Sequence, residues 1–276
     1  MSQGADAVLA RCLRELLAAD PGVRWSVSIS REGQVLAEVN ADLVLRTASM
    51  GKVFLLAEIA RRIELGSLDG QAWLRADREA TVADSGLWQF FGDLPLTVEA
   101  LAVLVAAVSD NLATNVLLAE VGLDSVQRLS DELGMDRTRM LDRIRDARSL
   151  DDPIAPSVGT ARDFARFMEL MGAGRLLSIP ISRRLRSWLA LGTDLSMVAS
   201  ALRLDPLAHL EDRWQLANKT GTDAGVRADA GIFEYRGSTW AYAVIANWSS
   251  DDPDCYRGVV DGMRDIGSAV LATLGE

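Results

Sequence analysis

Apolar and polar residues alternate in different ways along the chain, and the change of period divides it into three parts. The first part has helical spacing over Ala5–Ala19, and then "RWSVSISREGQVLAEVN" alternates apolar with polar residues, as a β-hairpin with "REG" as its turn does. The middle part has helical periodicity. The last part returns to strands in "WQLANKTG", "AGIFEY" and "TWAYAVIANW", and it ends in a predicted helix over Cys255–Leu274.

The middle part predicts a series of helices with typical start and stop residues. Their predicted bounds are Val53–Leu65, Val98–Val108, Ala113–Val121, Ser125–Leu133, Ala161–Met171 and Ile181–Leu191. Strands at both ends of the chain with helices between them predict an α/β (α+β) fold, in which an antiparallel sheet flanked by terminal helices accepts an inserted all-helical subdomain. We assign residues 1–46 together with 195–276 to the sheet subdomain and 47–194 to the helical one, with a cleft between them.

The composition excludes several kinds of partner. The 276 residues are 49% hydrophobic, which is ample for a core, and the net charge of -10 disfavours nucleic acid and anionic membranes as main partners. The N-terminal sequence lacks the pattern of a signal peptide, and the longest apolar run, "LAVLVAAV", is too short to cross a bilayer. We therefore expect a cytoplasmic monomer or dimer that acts on a small molecule.

Several common kinds of catalytic site find no support in the sequence. The single histidine, His209, is expected in a loop or on the surface, and no G-x-S-x-G segment suggests a serine triad around it. Cys12 and Cys255 lie near opposite ends of the chain, at no spacing typical of zinc or redox sites. We expect reduced thiols, no metal and no cofactor.

Lysine is rare in this chain, since only Lys52 and Lys219 among the 29 basic residues are lysines. A desolvated lysine can lose its proton and act as a base, whereas arginine remains protonated. Lys52 follows Ser49 by three residues in "SMGK", so that on a helix beginning at Ser49 the amine lies beside the hydroxyl. This spacing predicts a serine nucleophile with a lysine base.

Two further segments have polar residues where a cleft would need them. "SDN" at residues 109–111 falls between two predicted helices, and "KTGT" at 219–222 ends a predicted strand. Gly221 would let a substrate approach the strand edge closely. The Lys219 ammonium would lower the pKa of Lys52 and would bind a substrate carboxylate.

S-x-x-K, S-D-N and K-T-G in this order resemble the motifs of the penicillin-recognising serine hydrolases, especially class A β-lactamases. The resemblance extends over nearly the whole chain, through "SMGKVFLLAEIARRIELGSLD", "LTVEALAVLVAAVSDNLATNVLLAEVG" and "KTGTDAGVRADAGIFE". It implies a β-lactamase or transpeptidase-like fold and an enzyme that is acylated on serine.

The resemblance also implies a role for each catalytic residue. Ser49 would be the acylated nucleophile, Lys52 its proton acceptor or relay, and Ser109 the proton shuttle toward the leaving nitrogen. The backbone amides of Ser49 and Thr222 would form the oxyanion hole. These assignments require the three motifs to meet in one cleft.

The substrate would be held by the remaining motif residues. By the same resemblance, Asn111 would hold the substrate amide, and Lys219 with Thr220 would bind its carboxylate beside Gly221. Arg227 would assist in binding the carboxylate, as an arginine in that neighbourhood does in many relatives. A solvated arginine is the alternative interpretation.

The chain departs from the class A pattern in the loop after "SDN". Those enzymes have a glutamate there, in an E-x-x-L-N pattern, which activates the water that clears the acyl-enzyme. The corresponding stretch here, "RMLDRIRDARSLDDPIAPSVGTARD", contains no glutamate, and Arg145 falls where a direct alignment puts it. Asp146 is the nearest acid, and Asp142, Asp151 and Asp152 are weaker candidates. Because an aspartate side chain is shorter than that of glutamate, it would misplace the water and slow deacylation.

Three functions are compatible with these residues. The first is a serine hydrolase that acts on an amide, a β-lactam or an ester through Ser49. The second is an acyltransferase, esterase or amidase of metabolism that passes the acyl group to a nucleophile other than water. The third is a protein that captures an acylating ligand without turnover.

Overall fold

The computed structural model describes residues 2–19, 21–76, 82, 85–210, 213–252 and 255–274. Its main sheet is built from β1 (Arg24–Arg31), β2 (Gln34–Val39), β8 (Ala217–Asp223), β9 (Val226–Tyr235) and β10 (Ser238–Asn247). These strands pair antiparallel in the order β2-β1-β10-β9-β8. Strands from the two ends of the chain therefore meet at the β1–β10 pair, and the predicted α+β class is confirmed.

The helices follow the periodicity of the sequence closely. They are α1 (Ser2–Ala19), α2 (Lys52–Glu64), α3 (Val98–Val108), α4 (Asn111–Val121), α5 (Leu123–Glu132), α6 (Ala161–Gly172), α7 (Ile179–Leu189) and α8 (Cys255–Ala272). Thr97 caps α3 as its position predicts, since its hydroxyl accepts a hydrogen bond from the backbone of Ala100 at 3.2 Å. The helices between the two groups of strands form the expected helical block.

Both faces of β1 are buried, although its alternating pattern is typical of a strand with one face in water. Its apolar residues pack in a cluster with residues of α1 and α8. Its serines face α6, where Ser26 Oγ accepts a hydrogen bond from the Ala161 amide at 3.2 Å and Ser30 Oγ donates to Glu169 at 3.3 Å. The polar face of β1 thus fixes α6 on the sheet through directed hydrogen bonds.

The core centres on α2, in which every residue from Lys52 to Ala60 is buried. A helix buried on all sides must be surrounded by other elements, and α3, α4, α5 and α7 contact it. A second cluster lies between the sheet, α1 and α8. The first cluster contains residues of the helical block and of the inner face of the sheet. Because one cluster spans both parts, packing does not separate two subdomains, and the boundaries at 46/47 and 194/195 stay a prediction.

Short strands connect the helical block to the sheet region. The sequence did not predict β3 (Leu45–Arg46), β6 (Arg139–Met140) or β7 (Ser157–Gly159), which form a small sheet of order β3-β7-β6. Two more strands of two residues each, β4 (Trp73–Leu74) and β5 (Leu96–Thr97), pair with one another.

Among the residues that the structure describes, no helix combines the length and the apolarity that crossing a membrane requires.

Candidate active site

The segment before α2 turns sharply at Ser49. Residues Ala48–Gly51 form a 3-10 turn and α2 begins only at Lys52, so Ser49 does not open the α-helix. Three residues complete one turn of 3-10 geometry, which still places Ser49 and Lys52 on the same face. Ala48 has a φ of +48°, a left-handed conformation that alanine rarely adopts.

The amine of Lys52 is buried and surrounded by oxygen atoms. Lys52 is 1% exposed, and its Nζ donates hydrogen bonds to Ser109 O and Asn111 Oδ1, each at 2.7 Å. The Ser109 hydroxyl lies 3.3 Å from the same nitrogen. The S-x-x-K and S-D-N segments therefore meet, as their assigned roles require.

The S-D-N segment is held in place by Asp110. Ser109 ends α3 in a left-handed conformation with φ of +57°, and Asp110 caps α4 by accepting from the Ala113 amide at 2.9 Å. The second carboxylate oxygen of Asp110 accepts from the backbone amides of Leu87 and Trp88 at 2.7 and 2.9 Å. Asp110 thus has a structural role, which turns Ser109 and Asn111 toward Lys52.

The K-T-G segment lies within β8 and completes the contact between the motifs. Lys219 is 2% exposed, and its Nζ donates to Ser109 Oγ at 3.1 Å and to Thr220 O at 2.8 Å. One serine hydroxyl therefore lies between two lysine amines. A Cβ on Gly221 would lie only 2.1 Å from Thr47 O, so β8 can approach the nucleophile turn only with glycine at this position.

Burial changes the pKa values around Lys219. Desolvation lowers the pKa of Lys219 to about 8, although the negative charges of Asp194 and Asp229 oppose the shift. Desolvation also raises the pKa of Asp229 to about 7. Asp229 accepts hydrogen bonds from Asn218 Nδ2 at 3.1 Å and from the Tyr242 hydroxyl at 3.2 Å. Lys219 thus remains protonated at neutral pH but titrates well below an exposed lysine.

We predict that substrate binding weakens as the pH rises through about 8, because Lys219 then loses the charge that would bind a carboxylate. The measurement is the pH profile of kcat/KM, which reports the ionisation of the free enzyme. In Lys219→Arg the falling limb should move to higher pH, because a guanidinium stays protonated. An identical falling limb in the two proteins would contradict the assignment to Lys219.

The loop that would hold the deacylating residue is fixed to α4 by Asn115. The Asn115 side chain donates from Nδ2 to Ile144 O at 2.9 Å and accepts from the Ile144 amide at Oδ1 at 2.8 Å. Since Asn115 lies one helical turn after Asn111, the loop position at 144 is tied to the same helix face as the S-D-N motif. Ile144 is one of the residues that line the cavity, and it also packs against the core cluster.

A network of arginines organises the same loop. Arg145 and Arg148 donate to the Asp142 carboxylate at 2.6 and 2.7 Å. Burial acts to raise the pKa of Asp142, but the hydrogen bonds from the two arginines outweigh it and hold that pKa below its usual range. Arg145 also contacts Asp152 at 3.2 Å. The guanidinium of Arg145 is thus drawn toward these carboxylates.

The acids proposed for deacylation differ in position. Asp146 is exposed and lines the cavity, whereas Asp151 is exposed and lies farther along the loop. Asp152 accepts hydrogen bonds from the Ser149 amide and hydroxyl at 2.8 and 2.9 Å, and these bonds lower its pKa. Asp146 therefore stays the better candidate, and its role stays a prediction.

Arg227 lies on β9 beside the aromatic rings of Trp248 and Tyr256. Its guanidinium carbon is 4.5 Å from the centre of the Tyr256 ring, and its Nη1 donates to Asp223 O at 3.0 Å and to Val226 O at 2.6 Å. The described cavity lining includes Asp223 but not Arg227. Its part in carboxylate binding stays a prediction that requires the side chain to turn.

Trp88 and His209 both have structural surroundings. Trp88 is 1% exposed and donates from its indole nitrogen to Leu94 O at 2.9 Å, as expected of a core tryptophan. His209 lies in a loop, but it is buried, with its ring nitrogens 2.8 and 3.0 Å from the carbonyl oxygens of Asp205 and Ala190. Among the described residues, no group of three or more histidine, cysteine or acidic side chains could hold a metal ion.

All three motifs border one open cavity of about 580 Å³. The predicted site residues that line it are Ser49, Ser109, Asn111, Asp146, Lys219, Thr220 and Thr222. Residues that sequence reasoning missed also line it, among them Ile144, Arg148, Thr193 and Asp194. Two serine hydroxyls and the Lys219 amine line this cavity, and the Lys52 amine contacts the Ser109 hydroxyl from behind it. This arrangement suits nucleophilic attack on a carbonyl, with proton transfer to a leaving group.

Known proteins that are similar to this chain define its family. A model described as the β-lactamase enzyme family matches residues 8–274. The chain therefore belongs to the β-lactamase enzyme family. A curated protein from Rhodobacter capsulatus described as a β-lactamase is 27% identical over 188 residues. That match covers 66% of this chain and 59% of the length of the relative.

Solved structures of similar proteins share the fold. A β-lactamase from Sphaerobacter thermophilus superposes with a TM-score of 0.85 at 24% identity, over 97% of each chain. A class A β-lactamase from Mycobacterium abscessus superposes with a TM-score of 0.80 at 20% identity, over 99% of this chain and 100% of that one. At these identities the likeness defines the architecture, and the substrate must be inferred from the site.

Proposed function

We propose that the protein cleaves a β-lactam, or a related amide or ester that bears a carboxylate, through an acyl-enzyme on Ser49. The main support is the Ser109 hydroxyl, which lies between the amines of Lys52 and Lys219 at 3.3 and 3.1 Å. Few other chemistries need a half-buried serine hydroxyl between two lysine amines, beside a second serine. Membership of the β-lactamase enzyme family supports the same reaction class.

In the proposed acylation, Ser49 Oγ attacks the carbonyl carbon and its proton passes to Lys52. The bond between Oγ and carbon forms, and the bond from carbon to the leaving nitrogen breaks. Ser109 gives its hydroxyl proton to that nitrogen and receives one from the amine of Lys52, so that no net charge is left behind. The contact between Lys52 Nζ and Ser109 Oγ at 3.3 Å supports the second of these proton transfers.

Substrate binding would use the β8 edge and the S-D-N amide. The ammonium of Lys219 and the hydroxyl of Thr220 suit a carboxylate, and Asn111 suits a substrate amide. The backbone amides of Ser49 and Thr222 would stabilise the negative oxygen of the tetrahedral intermediate, by about 3 kcal/mol for each donor. The natural substrate is thus expected to have an acid group near the scissile carbonyl.

Deacylation is proposed to be the slow step. Water must add to the acyl carbon while the bond to Ser49 Oγ breaks, and this step needs a base that holds the water. The loop presents the apolar Ile144 to the cavity, and Asp142 is occupied by two arginines. Asp146 would be the base, from an exposed position that holds a water less firmly.

The test of this proposal is a time course with a chromogenic cephalosporin. We expect a burst of product equal to the enzyme concentration, followed by slow steady turnover, because acylation outruns deacylation. Linear turnover without a burst would show that deacylation is not limiting. The absence of any reaction with β-lactams, together with reaction with carboxylated esters, would restrict the substrate class to the latter.

Acyl transfer to a nucleophile other than water is a second candidate, favoured by the apolar side chain at 144 in the deacylation loop. Its test is turnover in the presence of added amines or alcohols. A steady rate that rises with their concentration, with the burst unchanged, would identify acyl transfer. An unchanged rate would leave hydrolysis as the reaction, and no turnover at all would indicate acyl capture alone.

A further inference from the structure

The peptide group between Ala48 and Ser49 is held by a residue outside the three motifs. Ser157 lies on β7, 109 residues after Ala48, and its buried hydroxyl donates to Ala48 O at 2.6 Å. We propose that Ser157 is a positioning residue, which orients the backbone N–H of Ser49 toward the oxyanion. The inference rests on the proposed function, in which this N–H is one of the two oxyanion donors.

The reason lies in the geometry of the peptide group. In a trans peptide the C=O of Ala48 and the N–H of Ser49 lie in one plane and point in opposite directions. A hydrogen bond that fixes the carbonyl on one side therefore fixes the direction of the N–H on the other. Ala48 has a φ of +48°, so the turn departs from the conformation that alanine prefers and needs such a restraint.

The hydrogen atoms around Ser157 can be assigned without ambiguity. Ser157 has one hydroxyl hydrogen, which it gives to Ala48 O, so the Thr47 hydroxyl at 2.7 Å must donate to Ser157 Oγ. The Thr47 amide also donates to Ser157 O at 3.1 Å. Three hydrogen bonds thus join Ser157 to residues 47 and 48, and a chain of donors of this kind polarises the final carbonyl and its peptide.

Two glycines enclose the turn from opposite sides. A Cβ on Gly51 would lie 2.4 Å from Ser157 Cβ, so glycine between Met50 and Lys52 lets Ser157 approach. A Cβ on Gly221 would lie 3.2 Å from the Ser49 nitrogen, which puts that nitrogen on the β8 side. The carbonyl held by Ser157 and the N–H proposed to bind the oxyanion thus face opposite walls.

The kinetic test compares Ser157→Ala with Ser130→Ala in acylation by a penicillin, followed by stopped flow. Ser130 is a matched control, since it is also fully buried and its hydroxyl donates to Val126 O at 3.4 Å within α5. Ser157→Ala should slow the acylation step about tenfold to a hundredfold and leave the non-covalent dissociation constant nearly unchanged. Equal acylation rates in the two variants would overturn the proposal.

A substrate-independent measurement separates this proposal from the proposed function. In the nitrogen–proton NMR spectrum of the free protein, Ser157→Ala should shift the Ser49 amide signal more than that of Met50, whose amide is bound by Thr47 O at 3.0 Å. An unmoved Ser49 signal would refute the positioning role. Failure of the wild type to react with any acyl donor would refute the proposed function instead. If Ser157→Ala does not fold, Ser157→Cys should shift the same signal in the same direction, because a thiol is a weaker donor.

Discussion

Lys52→Arg is expected to reduce the rate of acylation by about a hundredfold to ten-thousandfold, because a guanidinium keeps the charge but cannot accept the proton of Ser49. Lys52 Nζ is buried among Ser109 O, Ser109 Oγ and Asn111 Oδ1, in contact with the hydroxyl that is assigned as the proton shuttle. The measurement is the rate of adduct formation with a penicillin, with circular dichroism to verify the fold.

Lys219→Arg is the natural control, because Lys219 is the only other lysine in the chain. Its proposed role depends on charge, so the same chemical change should cause a smaller loss, which falls mainly on substrate binding. A folded Lys52→Arg protein that acylates at the wild-type rate would refute the base assignment. If the rate of acylation fell by the same factor in both variants, Lys52 would have no role distinct from that of Lys219.

Ile144→Glu is expected to shorten the lifetime of the acyl-enzyme by about a hundredfold, by giving the loop a general base for water. The two hydrogen bonds to Asn115 hold the backbone of residue 144 beside the S-D-N helix, and this residue is part of the cavity lining. A carboxylate placed there faces the acyl group from a fixed backbone. The class A pattern, which the motifs resemble, uses a glutamate in this loop for the same purpose.

The matched control for this gain of activity is Ile144→Gln, which has the same size as glutamate and no basic oxygen. Adduct lifetime is measured by mass spectrometry after removal of excess penicillin. Glutamate should shorten it, and glutamine should leave it near the wild-type value. Equal lifetimes in the two variants would show that residue 144 does not contact the water that attacks the ester.

Local patterns predicted the fold because the helices and strands each have a clear period. The bounds of α3 agree with the prediction at both ends, and the turn between β9 and β10 falls at Arg236 and Gly237, both with positive φ. The burial of the β1 serines did not follow from their alternation, since Ser26 and Ser30 bond to α6, far along the chain, and Ser28 bonds to Glu38 on β2. Short strands such as β7 have too few residues to show a period.

The candidate site was predicted only as far as its motifs extend. Ser49, Lys52 and Lys219 stand out because lysine is rare and their neighbours recur in a known family. Ser157 and Ile144 belong to no motif, and their importance depends on the contacts that β7 and Asn115 make with distant segments. The spacing in the sequence put Arg145 at the position of the class A glutamate. The hydrogen bonds of Asn115 instead hold Ile144, the residue before it.

The most direct test of the account is intact-protein mass spectrometry after exposure to a penicillin, for the wild type and for Ser49→Ala. We predict a persistent adduct of the mass of the drug on the wild type, located by peptide mapping on Ser49, and no adduct on the variant. An adduct of the same yield on Ser49→Ala would contradict the central claim that Ser49 is the nucleophile.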